Sequence, residues 1–176
     1  MRVLTQAEAD SLLQPLDLKV GEWCELACLS SEVFPNKAYR PNPDARELYV
    51  LAGHLLDWLD PKDWVILQID NSTAPLFDES KVFEELAFEP GQRWDLGNQR
   101  TFLFGIERAK LILIVFFSLV FEWHVYLTCK SADQGQRLGL QDGIVYFIGR
   151  PEMVGAAEAM VERIAENPLR LSQSGK

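Results

Sequence analysis

From Leu48 to Leu59 apolar residues recur every three or four positions: Leu48, Leu51, Ala52, Leu55, Leu56 and Leu59. That period puts them on one face of a helix. Asp44 can cap its start, and Asp60 before Pro61 marks its end. An earlier helix, Gln6 to Gln14, follows a Thr5/Glu8 capping box and stops at Pro15. Residues 64–69 are rich in β-formers and predict a strand. Asn71 to Pro75 reads as a turn, after which Asp78 or Ser80 can cap a short helix carrying Val82, Phe83, Leu86 and Ala87. The strand-like candidates beyond the Pro90-Gly91 break are Arg100–Phe104, Lys110–Leu119, Glu122–Cys129 and Gly143–Ile148. Asp142-Gly143 is a tight-hairpin dipeptide. Pro151 opens a final helix with the stripe Met153, Val154, Ala157, Met160, Val161 and Ile164. Gly21–Leu29 is a weak strand or loop, Ser30–Pro43 a proline-rich loop, and Arg137–Leu140 an ordinary turn. The pattern predicts an α+β domain: an antiparallel β-sheet meander with N-terminal helices and a C-terminal helix, residues 1–176 forming a single domain.

Composition narrows the class. The chain is 48% hydrophobic and 24% charged, which is globular rather than disordered chemistry. The longest apolar run, Leu111 to Phe121, is broken only by Ser118 and is too short to span a membrane as a helix. Its Ile, Val and Phe content suggests a buried strand. The first ten residues lack the apolar core of a secretory signal. Together these predict a soluble, cytoplasmic protein. Three cysteines, Cys24, Cys28 and Cys129, are an odd set, so buried reduced thiols are expected rather than a disulfide framework.

Charge is the most informative feature. Ten acids and three bases fall between His54 and Asp95, a net of −7 within a chain of −9. The residues before that window net −3 and those after it +1, so direct nucleic-acid binding is not expected. A negative field of this kind attracts cationic partners.

No catalytic motif accompanies the charge. There is no Gly-x-Ser-x-Gly elbow, no phosphate-cradling glycine loop, and no EF-hand spacing in Asp70-Asn71-Ser72-Thr73. His54 and His124 are not paired with the cysteines in a zinc spacing, so neither a metal nor a cofactor is expected. The paired carboxylates Glu84-Glu85 diverge on a helix, and Pro61 separates Asp57 and Asp60 from Asp63. A surface for a basic protein is the better expectation, with Asp78, Glu79, Glu84, Glu85, Glu89, Trp94 and Asp95 as contacts. Trp58 and Trp64 lie among the same acids, but alternation assigns Trp64 in particular to the core.

A small, acidic chain without catalytic motifs resembles the immunity proteins of bacterial polymorphic toxin and contact-dependent growth inhibition systems. The local likeness is its ending: a strand over Glu122–Leu127, the hairpin strand Asp142-Gly143-Ile144-Val145-Tyr146-Phe147, and a terminal helix. The resemblance implies a non-enzymatic inhibitor of one cognate basic toxin, often a nuclease, and transfers no site residue, because the binding surfaces diverge. Two alternatives stay open: a carboxylate-dependent metal hydrolase, and an acidic adaptor or chaperone for another basic protein.

Overall fold

A computed structural model describes residues 1–20, 26–28, 35–71, 101–130 and 136–166. The elements run β1 (Arg2–Leu4), α1 (Gln6–Leu13), β2 (Leu18–Val20), β3 (Leu26–Cys28), β4 (Asn36–Tyr39), α2 (Ala45–Leu59), β5 (Val65–Asn71), β6 (Thr101–Gly105), α3 (Arg108–Val120), β7 (His124–Cys129), β8 (Arg137–Gln141), β9 (Ile144–Ile148) and α4 (Pro151–Glu166). The class is α+β, as the pattern predicts. Seven strands form an antiparallel sheet in the order β1-β6-β5-β7-β8-β9-β4, and β2 pairs with β3 in a separate ribbon. The meander proper is β7-β8-β9; both edge strands come from the first forty residues.

Strand alternation divides the core in two. On one face Val65, Leu67, Leu103, Leu127, Leu138 and Phe147 pack with the apolar stripes of α2, α3 and α4. On the other, Ile66, Phe102 and Leu4 pack with Ala9 and Leu13 of α1 and with Leu18. Each fully buried Leu, Ile or Phe contributes about 1.5–3 kcal/mol, so the larger layer dominates stability.

Helix ends follow the expected chemistry. Thr5 caps α1 through Glu8 N, while the Glu8 carboxylate accepts from Thr5 N at 2.8 Å. The Asp44 carboxylate accepts from Arg46 N and Glu47 N at the start of α2. Asp60 ends α2 in the left-handed region at φ 47°. Two carbonyls at that end are capped from the sheet: the Gln136 amide donates to Trp58 O at 2.6 Å, and the Cys129 thiol donates to Leu59 O at 3.2 Å. Cys129 is thus a buried free thiol with a structural bond.

Three sequence expectations are corrected. The run Lys110–Leu119 is helical, inside α3, not a strand. Its β-forming composition misleads because α3 is apolar around most of its circumference. Leu111, Ile114, Val115, Ser118 and Leu119 are buried at helical spacing. Arg137–Leu140 is strand β8 rather than a turn: Leu138 and Leu140 face the large core, and Gly139 lies where a Cβ would touch Tyr126 and Tyr146 at 3.4 Å. The loop Ser30–Pro43 contains edge strand β4, short and carrying the exposed Lys37, a form that discourages edge-to-edge pairing. The short helix expected after Asp78 lies outside the described residues. Among the described residues no helix is long and apolar enough to cross a membrane.

Candidate functional site

The sheet has two ends, and they differ in charge. At one end β5 finishes at Asn71, β6 begins at Thr101, β7 begins at His124, and Asp142-Gly143 turns β8 into β9. The turn takes φ 52° at Asp142 and 70° at Gly143, the left-handed pair of a two-residue hairpin. Strand ends, connections and the first turn of α2 bring Asp44, Glu47, Asp70, Glu122 and Asp142 to this end, against Arg40 and Arg46. The local net is −3. His124 Nε2 lies 3.0 Å from Asp142 Oδ1, and the Glu122 carboxylate lies against Gly143. Asp142 is 68% exposed. Among the described residues, no Lys or Arg approaches Asp44, Glu47, Glu122 or Asp142 within ion-pair distance.

The opposite end is compensated. Asp57 meets Arg108 at 2.7 Å, Asp60 meets Lys62 at 2.6 Å, Asp63 meets Lys130 at 3.3 Å, and Glu107 meets Lys110. The Lys110 and N-terminal ammonium groups hold the Glu107 carboxyl below its usual value, the Lys110 hydrogen bond being the larger cause. Three of the ten acids in the central window are therefore neutralised locally. A fourth, Asp70, accepts from the Gln68 amide at 2.6 Å.

The remaining six fall between β5 and β6. Ile69 pairs with Thr101 in the sheet, so these two strands are hydrogen-bonded neighbours that a two-residue turn could join. Twenty-nine residues, 72–100, join them instead, with six acids against three bases, a net of −3. Connections that long between paired neighbouring strands are uncommon in a compact domain. Both anchor points of this one stand at the uncompensated end. Asp78, Glu79, Glu84, Glu85, Glu89, Trp94 and Asp95 all belong to it and lie outside the described residues. The structure fixes where their segment leaves and rejoins the sheet.

The other sequence candidates resolve separately. Trp58 is core: its indole donates to Met153 O at 2.8 Å and meets Phe147 edge-on at 5.1 Å. Trp64 is half-buried over Phe104. His54, on α2, lies 4.0 Å from Asp57. Cys28 is in β3, and Cys24 lies outside the described residues. Among the described residues no three His, Cys, Asp or Glu side chains converge in a way that could hold a metal ion. Glu122, Asp142, Asp44 and Glu47 are not among the contacts expected from the sequence, which reads Asp44 only as a helix cap and Asp142 only as a turn residue. They come from three separate stretches and gather only through the strand order; the predicted Asp142-Gly143 turn was the one local signal.

Comparison with protein-family models, with curated proteins and with solved structures finds no match.

Proposed function

We propose that the protein is an inhibitory binding protein of the immunity type, which neutralises a cognate basic toxin, most simply a nuclease. The observation that carries this reading is the place of the acidic connection. A 29-residue segment of net −3 connects two adjacent strands, at the sheet end whose own charged residues net a further −3. Carboxylates presented together on one end can enter a cleft that evolved to hold phosphates, and they accelerate encounter with a cationic surface. Trp94, in the same segment, supplies an aromatic anchor of the kind that dominates interface energies. On this reading the protein catalyses nothing and needs no cofactor; its activity is occlusion.

The test uses the polypeptide encoded immediately upstream as the candidate toxin. Binding to the intact protein is measured by calorimetry over a salt series, alongside the toxin's nuclease activity. Glu84→Lys with Glu85→Lys should raise Kd by at least about tenfold and flatten its salt dependence. Reversal of Asp60 and Asp63, at the compensated end, should leave Kd within about threefold. Equal effects at the two ends, or none at Glu84 and Glu85, would remove the assignment. Stoichiometric heat on titration with Mg²⁺, Mn²⁺ or Zn²⁺ would instead favour the carboxylate-dependent hydrolase.

A further inference from the structure

A cavity of about 420 Å³ opens at the uncompensated end of the sheet, within the range of roughly 300–1,000 Å³ that ligand pockets occupy. Four parts of the chain build it. Pro41 and Pro43 wall it where β4 leads into α2; their rings fix φ, so this wall is preformed. Ala45 and Leu48 continue it along the first turn of α2, which the Asp44 carboxylate caps. Leu119 and Val120 come from the last turn of α3. There the chain turns sharply: Glu122 takes φ 55°, and Trp123 N donates to Ser118 O at 2.9 Å. The turn sets the Glu122 carboxylate against Gly143, where a Cβ would meet Oε1 at 3.2 Å. These two residues close the side towards β8 and β9.

We propose that this cavity receives an aromatic side chain of the toxin, flanked there by basic residues. Its interior argues for an uncharged occupant. The walls from Pro41 to Val120 are apolar, and the charges lining it, Arg40 and Glu122, are one of each sign and both exposed. Val120 is 37% exposed, one of three large apolar side chains so open among the described residues, so the mouth offers apolar surface to a ligand. The surroundings argue for basic neighbours. The charged residues next in sequence to the lining are Asp44, Glu47 and Asp142 against Arg46, a net of −2. Among the described residues no Lys or Arg lies within ion-pair distance of those three acids. A cation beside the anchor is attracted there, whereas an acidic segment is repelled. A buried aromatic then supplies the binding energy, and the charged rim selects the partner by sign. The cavity also borders the acidic connection. Glu122 is two residues from His124, which pairs with Asn71, the last residue before that connection. That the anchor belongs to a toxin rests on the proposed function; the chemistry of the cavity does not.

Amide chemical shifts of the isotope-labelled intact protein, titrated with blocked tripeptides, test the cavity without the toxin. Acetyl-Lys-Trp-Lys-amide should shift Leu119, Val120, Glu122 and Gly143 saturably, with Kd below about 5 mM. Lys-Ala-Lys, which lacks the anchor, and Glu-Trp-Glu, which reverses the flanking charge, should each bind at least about fivefold more weakly. Ala45→Trp, which fills the mouth from an exposed position, should weaken Lys-Trp-Lys by at least about fivefold. Val120→Ser removes apolar surface at the same mouth and should weaken it at least about twofold, a second measurement should Ala45→Trp fold poorly. No saturable shift at these amides, equal binding of Lys-Ala-Lys or Glu-Trp-Glu, or wild-type affinity in both variants would overturn the inference. With the upstream polypeptide, Ala45→Trp should raise the dissociation rate at least about tenfold while the association rate changes less than about threefold. An unchanged dissociation rate would overturn the anchor but not the reading of the acidic connection. Absence of the Glu84/Glu85 effect, with Lys-Trp-Lys still bound, would overturn that reading but not the cavity.

Discussion

The side-chain amide of Gln136 closes the C-terminus of a helix 78 residues away in sequence, by donating to Trp58 O. The backbone carbonyl of Gln136 accepts from the Thr128 hydroxyl at 3.2 Å, so a buried polar residue links α2 to the sheet. Gln136→Leu should lower stability by about 1–3 kcal/mol, the cost of leaving a buried carbonyl unpaired. Urea denaturation should show the midpoint falling with the m-value unchanged. Trp58→Phe should keep most of the packing on Phe147 but lose the bond to Met153 O, at about 1 kcal/mol. Neither role was legible in the sequence. Trp58 sits among acids and reads equally well as an exposed anchor. Its burial is decided by the way α2 and α4 approach each other, which no local pattern states. The capping residues were legible, because a cap is a contact between neighbours: Thr5 with Glu8, and Asp44 with the two residues after Ala45.

Among the elements, α3 is the instructive case. A strand would put Ile112 and Ile114 on the same face; a helix separates them and buries Ile114 beside Val115. Ile114→Glu should therefore unfold the protein or cost at least about 3 kcal/mol, as a buried charge without a partner does. Ile112→Glu, at a partly buried position on the edge of the same core, should cost less, about 1–2 kcal/mol. Equal sensitivity in thermal melts would speak against the helix. The amphipathic helices α2 and α4 were readable because each has one polar face. α3 was not, because apolar residues occupy its outer ridge as well. Strand β8 was missed for Gly139, a feature of close approach, and β4 for the prolines that flank it at 35, 41 and 43. The Thr5/Glu8 box at the start of α1 carries a pH prediction. The backbone bond from Thr5, then its hydroxyl, then Arg2 hold the Glu8 carboxyl below the usual value of 4.5. A group lowered on folding stabilises the folded state above its unfolded value and loses that contribution as pH falls through the folded one. Protection of the Thr5 amide from hydrogen exchange should drop on acidification through this range. In Glu8→Gln, which can still accept the bond but carries no charge, that step should be absent.

For the whole molecule, the sequence disclosed the size of the charge and its central window but not its polarity. The polarity appears only when the strand order gathers Glu122, Asp142 and Asp44 beside the exits of β5 and β6, while Asp57, Asp60 and Asp63 are matched at the far end. Association with a basic partner should accordingly slow with added salt, as stopped-flow kinetics would record. Reversals at Asp142 and Glu122 should reduce the association rate more than the dissociation rate changes, since rim charges act mainly on encounter. The placement of the outer strands has a consequence for how the chain acquires its structure. Arg2 pairs with Phe104, and Asn36 with Ile148, each across more than 100 residues of chain. A ribosome has therefore released both borders of the sheet long before the strands that receive them exist. The centre, β5 to β9, can assemble first, with β1 and β4 added last. Such distant pairings place folding on the slow, millisecond-to-second side of small domains. The two outer strands should be the last to gain amide protection in pulse-labelling refolding experiments.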